Sequence, residues 1–356
     1  MFQWLIKPIL ILSIAVCTVG GLLAQEDTRD GTKVADARPE YGLTTEEIDA
    51  IELPDYQQLT IDTDLLNDRW YMQVTGTVTV HDAPNGNPIR TLDGGFNFVT
   101  ALQIVDGWIE INPGEWMSQA SLRSTNSIIS QFTGIFVPEE GLELTPAWLL
   151  VNLYPSKAPG TDPVESNGLM YRYSLVHIYS DVVIDGWHWY QIGPEKWVFQ
   201  THVAKVLPVQ RPDTIETDKW VAVDLYEQVV TVYEGDRLIF ATLTSTGLPR
   251  WPTMEGTFNI YYRRTREEMT WGTPGDDFYF LEDVPWTMYF DDGRALHGEY
   301  WHDGLGYRRS HGCVNLSITD AYWLYNWVAE EMGSRNSPEI EIGPAVYVYS
   351  SGAYIE

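Results

Sequence analysis

From about Trp70 onward, apolar and polar residues alternate in short runs separated by turn residues, the period of strands half-buried on one face. Gln73-Val74-Thr75-Gly76-Thr77-Val78-Thr79-Val80 alternates, and Ala83-Pro84-Asn85-Gly86-Asn87-Pro88 is a turn cluster. A strand pair surrounds Asp106-Gly107-Trp108-Ile109-Glu110-Ile111, and Glu115-Trp116-Met117 follows Pro113-Gly114. The same phrase returns as Asp185-Gly186-Trp187-His188-Trp189-Tyr190 and Gly193-Pro194-Glu195-Lys196-Trp197-Val198. Trp116 and Trp197, like Gln119 and Gln200, stand 81 positions apart. Two copies are too few for a solenoid or propeller, so the repeat predicts two small β modules in tandem, over 68–137 and 138–208. Pro208 to Asp213 reads as a linker. Beyond it, Trp220–Leu225, Gln228–Tyr233 and Leu238–Leu243 predict a meander of strands. One amphipathic helix is expected late in the chain. Ser317, three before Asp320, is a capping pattern, Ala321, Leu324, Tyr325 and Val328 make the apolar face, and Gly333 ends it.

The N-terminal region has another pattern. Residues 1–24 carry one charge, Lys7, then an apolar run from Ile9 to Leu23 with Ala24 at the cleavage position, which predicts an export signal. An uncleaved anchor, and with it a membrane tether, is the alternative, because no charge occurs from Pro8 to Gln25. Residues 25–67 are acidic and poor in large apolar runs, an N-terminal linker with one short helix at Thr44 to Ile51.

The length of 356 residues allows two or three domains. The formal charge of -28, from 22 basic and 50 acidic residues, excludes a nucleic-acid partner, since phosphates need a basic footprint. Export sharpens the cysteine count. Cys17 lies within the signal, which leaves Cys313 as an unpaired thiol outside the cytoplasm, where thiols are at risk of oxidation. A buried, inert cysteine is the plain reading. Its neighbours favour a nucleophile. His297-Gly298 and Ser310-His311-Gly312-Cys313 lie close by, and His297, His302 and His311 are three of the seven histidines. A zinc site from these histidines and Cys313 lacks the usual ligand spacing, so no metal and no cofactor are expected. His177, His188 and His202 scatter through the second module without ligand spacing.

The region 216–350 resembles the L,D-transpeptidase catalytic domain of the YkuD family. The resemblance rests on His297-Gly298, on Ser310-His311-Gly312-Cys313-Val314-Asn315, on the turn Ser245 to Gly247, on the run Pro252 to Phe258, and on the helix opening at Asp320-Ala321. The two upstream modules resemble bacterial SH3-like modules, which often bind cell-wall material. The expected fold is therefore mainly β: two small SH3-like β-barrel modules, then a β-rich catalytic domain with a buttressing helix.

The resemblance implies an exported enzyme acting on peptidoglycan stem peptides, with Cys313 as nucleophile and His297 as base. A thiol is mostly protonated at neutral pH, so a histidine must take its proton. The ring of His297 needs a partner on its other nitrogen, for which a nearby backbone carbonyl is expected, with Glu299 and Asp303 as lesser candidates. His311 is expected to shape the loop and the electrostatics of the thiolate, with Ser310 beside it, and Gly312 with Cys313 to offer backbone N–H groups as an oxyanion hole. Asn315, Arg309, Tyr289 and Gly298 are candidate substrate contacts; Asn315 stands where many members carry arginine, and Arg308 or Arg309 could replace that function. His302 has no family counterpart and reads as a loop residue at the cleft edge. The implied reaction is a Cys313 thioester with a tetrapeptide stem, loss of D-alanine and transfer of the acyl group to an amine. Water as acceptor would make it an L,D-carboxypeptidase; a general wall peptidase or a wall-binding protein without significant activity are further readings.

Overall fold

The meander expected beyond the linker forms as strands Lys219–Asp224, Val229–Glu234 and Arg237–Leu243, antiparallel, with Ala222 opposite Thr231 and Thr231 opposite Ala241. The computed structural model describes residues 40–273, 277–332 and 342–353. Ala345–Tyr349 lies parallel to Lys219–Asp224, Gly256–Asn259 pairs outside it, and Ile135–Phe136 closes the other edge, giving six strands. A seven-stranded sheet runs Val314–Leu316, Arg294–Gly298, Tyr279–Asp291, Phe96–Ala101, Trp70–Val74 and Leu122–Ser124, with Tyr262–Trp271 also paired to Tyr279–Asp291.

Helix Ile318–Met332 packs between these sheets. The Ser317 hydroxyl accepts the Asp320 N–H at 3.1 Å, the cap its sequence predicts. Ala321, Leu324, Tyr325 and Val328 are buried against Val221, Val232, Met288, Leu296 and Val314. The helix thereby fixes the strands that carry His297 and the residues after Cys313. The expected end at Gly333 lies outside the described residues.

The sequence repeat has a structural basis. Asp106-Gly107 and Asp185-Gly186 all have positive φ (49°, 81°, 53° and 83°), the left-handed pair that two-residue hairpins require. Each is the loop of a hairpin, Gln103–Val105 with Trp108–Asn112 and Ser180–Ile184 with Trp187–Gly193. Of the repeated tryptophans, Trp116 and Trp197 are buried and fill cores, whereas Trp187 is exposed.

The expected closed barrels are not formed among the described residues. Five strands of the first region make an open sheet, and the second region makes two three-stranded sheets. In the first region the cause is strand exchange. Phe96–Ala101 hydrogen-bonds parallel to Tyr279–Asp291, with Phe96 opposite Tyr279 and Phe98 opposite Leu281. The first region therefore extends the sheet that carries His297 and Asn315.

Residues 40–67 also pack. Thr44 and Glu47 form a capping box on helix Thr45–Asp49, within the stretch expected to be helical. Asp62 caps Thr63–Leu66, whose Leu66 enters the core beside Tyr71 and Ile318. The export signal or anchor expected at 1–24 lies outside the described residues, and among those described no helix is long and apolar enough to cross a membrane.

At the seam between the first region and the long strand, Glu282 is buried and accepts the Thr100 N–H (3.0 Å) and Asn112 Nδ2 (3.3 Å). Burial pushes its carboxyl up to about 7. Asp320, which accepts the Gly134 N–H and the Thr242 hydroxyl, is likewise pushed up to about 6. Both folded-state values exceed the unfolded ones, so the native state binds more protons and stability falls as pH rises through this window. Unfolding free energy is expected to drop by about 3 kcal/mol on Glu282's account between pH 4 and pH 8. Urea titration of Glu282→Gln should show a markedly flatter pH dependence; an unchanged slope would remove Glu282 as its source.

Candidate active site

Two adjacent parallel strands build the site. Arg294–Gly298 lies beside Val314–Leu316 with His297 opposite Asn315 and Leu296 opposite Val314. Side chains alternate along a strand, so Leu296, Val314 and Leu316 enter the core while His297 and Asn315 share the other face. Both line a cavity of about 810 Å³ together with Cys313, which is partly exposed.

The turn that delivers Cys313 is held by Ser310. Its hydroxyl donates to the Cys313 carbonyl (2.5 Å) and accepts the Gly312 N–H (3.1 Å). Thr253 donates to the Gly312 carbonyl at 2.8 Å, and Gly312 has φ +112°, a conformation that disfavours any side chain. His311 and Cys313 do not share one strand face, because Gly312 turns the backbone between them. His311 stacks on Trp251 (centroids 3.7 Å apart), near Tyr279 and Trp271. It lines the cavity as part of an aromatic wall.

His297 is 2% exposed, and its Nδ1 meets the Gly298 carbonyl at 3.0 Å. A carbonyl only accepts, so Nδ1 carries the proton and Nε2 keeps its lone pair. Gly298 is thus the backbone partner expected for the base. It packs behind the histidine, where an added Cβ would come 3.1 Å from the Ile318 Cα. Burial pulls His297 down to about 4 against the opposing Gly298 hydrogen bond. Burial also raises the Cys313 thiol, opposed by the Ala295 N–H and the Arg294 charge. At neutral pH both groups are therefore uncharged, so a thiolate at Cys313 would form only by handing its proton to a base. The acid limb of kcat/KM is expected near pH 4, where His297 gains a proton, with activity sustained through neutral pH. A limb near pH 6.5 in a pH–rate series would contradict a buried base.

The other candidates divide. Arg309 donates to the Gly304 carbonyl at 3.3 Å and lines the cavity beside Arg308. Tyr289 lies with Cys313 in an adjoining cavity of about 520 Å³, and burial raises its phenol. Asp303 is engaged elsewhere, by the Tyr173 hydroxyl (2.7 Å) and Arg172. His302, read from sequence as an edge residue, is largely buried, lines the cavity and lies 3.3 Å from the Asn315 amide. Its loop is pulled inward by Glu299, whose Oε2 accepts the N–H groups of Trp301 (3.2 Å) and His302 (3.0 Å).

Sequence reasoning missed the walls. Trp251, Tyr279 and Trp301 line the cavity from within 216–350, and Gly95 and Phe96 come from the first β region. Phe96 reaches the site because its strand pairs with Tyr279, and its ring stands edge-on to Trp301 (6.4 Å). No local motif announces that pairing. The only sequence signal was the alternation in Phe96-Asn97-Phe98 itself.

Residues 218–346 match the YkuD family model, the L,D-transpeptidase catalytic domain. A Bacillus subtilis (strain 168) protein, YciB, whose assigned name is that of an L,D-transpeptidase, is 28% identical over 134 residues. That alignment covers 33% of this chain and 66% of the relative, so the chain spans just under two thirds of the curated protein it matches. Among solved structures, L,D-transpeptidase 3 from Mycobacterium tuberculosis is 23% identical, covering 37% of this chain and 61% of that one, with a TM-score of 0.32. An L,D-transpeptidase from Stackebrandtia nassauensis is 26% identical, covering 39% and 60%, with a TM-score of 0.28.

Proposed function

We propose that the protein is an extracytoplasmic peptidoglycan L,D-transpeptidase in which Cys313 is the nucleophile and His297 the general base. The observation that carries this reading is that Cys313, Asn315 and His297 line one cavity within the segment that matches the catalytic-domain family. Nε2 of His297 takes the thiol proton as Sγ attacks the carbonyl before a terminal D-alanine of a tetrapeptide stem. The Sγ–C bond forms, the amide C–N bond breaks, and the proton passes from Nε2 to the leaving amine. A side-chain amine of a second stem then attacks the thioester, gives its surplus proton to Nε2, and Cys313 regains its hydrogen. The Gly312 N–H is engaged by Ser310, so the Cys313 N–H is the backbone donor assigned to the developing oxyanion.

Arg250, Arg308 and Arg309 line the same cavity in a chain of net charge -28. This concentration of positive charge suits a substrate with free carboxylates, as stem peptides have. The two β regions before the catalytic domain, 68–137 and 138–208, are assigned to holding wall material. The region 1–24 is assigned to export.

The test is product identity from purified stem peptides. Incubation with a tetrapeptide donor and an amine-bearing acceptor should give cross-linked dimer and free D-alanine. Tripeptide alone would assign the carboxypeptidase reaction, and recovery of unchanged peptides would overturn the enzymatic reading.

A further inference from the structure

Two cavities meet at Cys313. The first, of about 810 Å³, and the adjoining one, of about 520 Å³, share Cys313, His311, Trp251, Tyr279 and Arg250 among their lining residues. Among the described residues, Arg250 is the arginine that lines both. The other cavity arginines are placed differently. Arg308 and Arg309 line the first cavity alone, and Arg309 gives its Nε–H to the Gly304 carbonyl at 3.3 Å. Arg294 lines the second alone and is held by Asp291 (2.8 Å) and by the Pro252 carbonyl (3.2 Å). Arg250 is exposed and has neither a carboxylate nor a carbonyl partner among the described residues.

Its position is fixed by stacking. The guanidinium carbon stands 3.7 Å from the centre of the Trp251 ring, and the His311 ring stacks on Trp251 at the same 3.7 Å. One face of an indole cannot hold both groups at that distance, so the three form a sandwich with Trp251 in the middle. A guanidinium seated over an aromatic face keeps the N–H groups at its rim open to a planar carboxylate. Burial, and after it the Arg250 charge, pull His311 below its ordinary value, with Asp277 acting against them. At neutral pH the stack therefore carries one positive charge, on Arg250.

The reaction proposed above brings a carboxylate to this place. The carbonyl under attack sits at Cys313, where the cavities join, and the leaving residue is a single terminal D-alanine. Its carboxylate lies within about 4 Å of that carbonyl, since one residue advances the chain by about 3.8 Å. We propose that Arg250, seated on Trp251, binds the terminal carboxylate of the leaving residue and so selects acyl donors that end one residue beyond the scissile bond. Arg308 and Arg309 are left to the carboxylates nearer the other end of the stem. Trp251 is a positioning residue, and Arg250 is the one that touches substrate. The identity of the ligand rests on the reading of the protein as a stem-peptide transpeptidase; the existence of a carboxylate site does not.

The test is a cycle of two proteins and two substrates. Release of the terminal residue is followed with wild type and Arg250→Gln, on a tetrapeptide donor and on the same peptide amidated at its C-terminus. Wild type should favour the free acid about 30-fold in kcat/KM, the worth of a charge-assisted pair, and Arg250→Gln should bring acid and amide within about threefold. Trp251→Leu removes the stack and leaves the charge, and should lower the acid-over-amide ratio about threefold. A loss equal on acid and amide would overturn its positioning role. An acid-over-amide ratio unchanged in Arg250→Gln would overturn the proposal. So would a dependence on Arg250 that disappears on amidating an internal carboxylate of the stem and not the terminal one. Calorimetry on Cys313→Ala, with and without Arg250→Gln, reads the same preference without turnover. If wild type processes no stem peptide, the transpeptidase reading fails and calorimetry still decides the site. Acid bound more tightly than amide only while Arg250 is present supports it, and equal or absent binding overturns it.

Discussion

Cys313→Ala is expected to abolish D-alanine release and dimer formation, a loss of about 10⁴-fold or more, since no other group on the cavity face can form a thioester. Two features make this the largest effect. Cys313 is the free thiol of the described residues, and the turn presenting it is fixed by Ser310 and Thr253 independently of the sulfur. Alanine keeps those backbone bonds, so the variant should fold as wild type and still bind substrate. Binding by the inactive variant, measured calorimetrically with the tetrapeptide, would separate lost chemistry from lost recognition. D-alanine release at the wild-type rate would remove Cys313 from the mechanism.

His297→Gln should lower kcat by about 10²–10⁴-fold, the usual worth of a positioned base. Its pH profile is the sharper readout. With the base gone, only preformed thiolate reacts, and burial holds the Cys313 thiol up. Residual activity should therefore rise steadily into alkaline pH, and the acid limb expected near pH 4 should vanish. A variant retaining that limb would place the titrating base elsewhere. His297 is buried against Trp301 (ring centroids 5.7 Å apart), so circular dichroism must accompany the kinetics.

Much of the site was legible because its information is local. Ser310, Gly312 and Cys313 lie within four residues, and their turn geometry follows from a hydroxyl, a flexible backbone and a thiol placed in that order. The strand alternation and the capped helix were equally local. What stayed hidden depends on contacts between distant segments. Phe96 enters the catalytic wall only because its strand pairs with Tyr279, 183 positions later, and pairing partners leave no trace in alternation. The same pairing explains why the first region gives strands to a shared sheet in place of the separate closed barrel expected. A deletion of 68–208 would accordingly strip a wall from the active site as well as any wall-binding surface. His302 was underestimated for a related reason: its burial follows from Glu299 drawing two backbone N–H groups inward, which spacing alone does not reveal.

The acyl-enzyme itself gives the most direct test. Wild-type protein mixed with tetrapeptide donor in the absence of acceptor amine, quenched in acid and weighed intact, should gain the mass of the donor less D-alanine. Peptide mapping should place that mass on Cys313, and added acceptor should discharge it into cross-linked dimer. D-alanine release with no adduct on Cys313, undiminished in Cys313→Ala, would contradict the account.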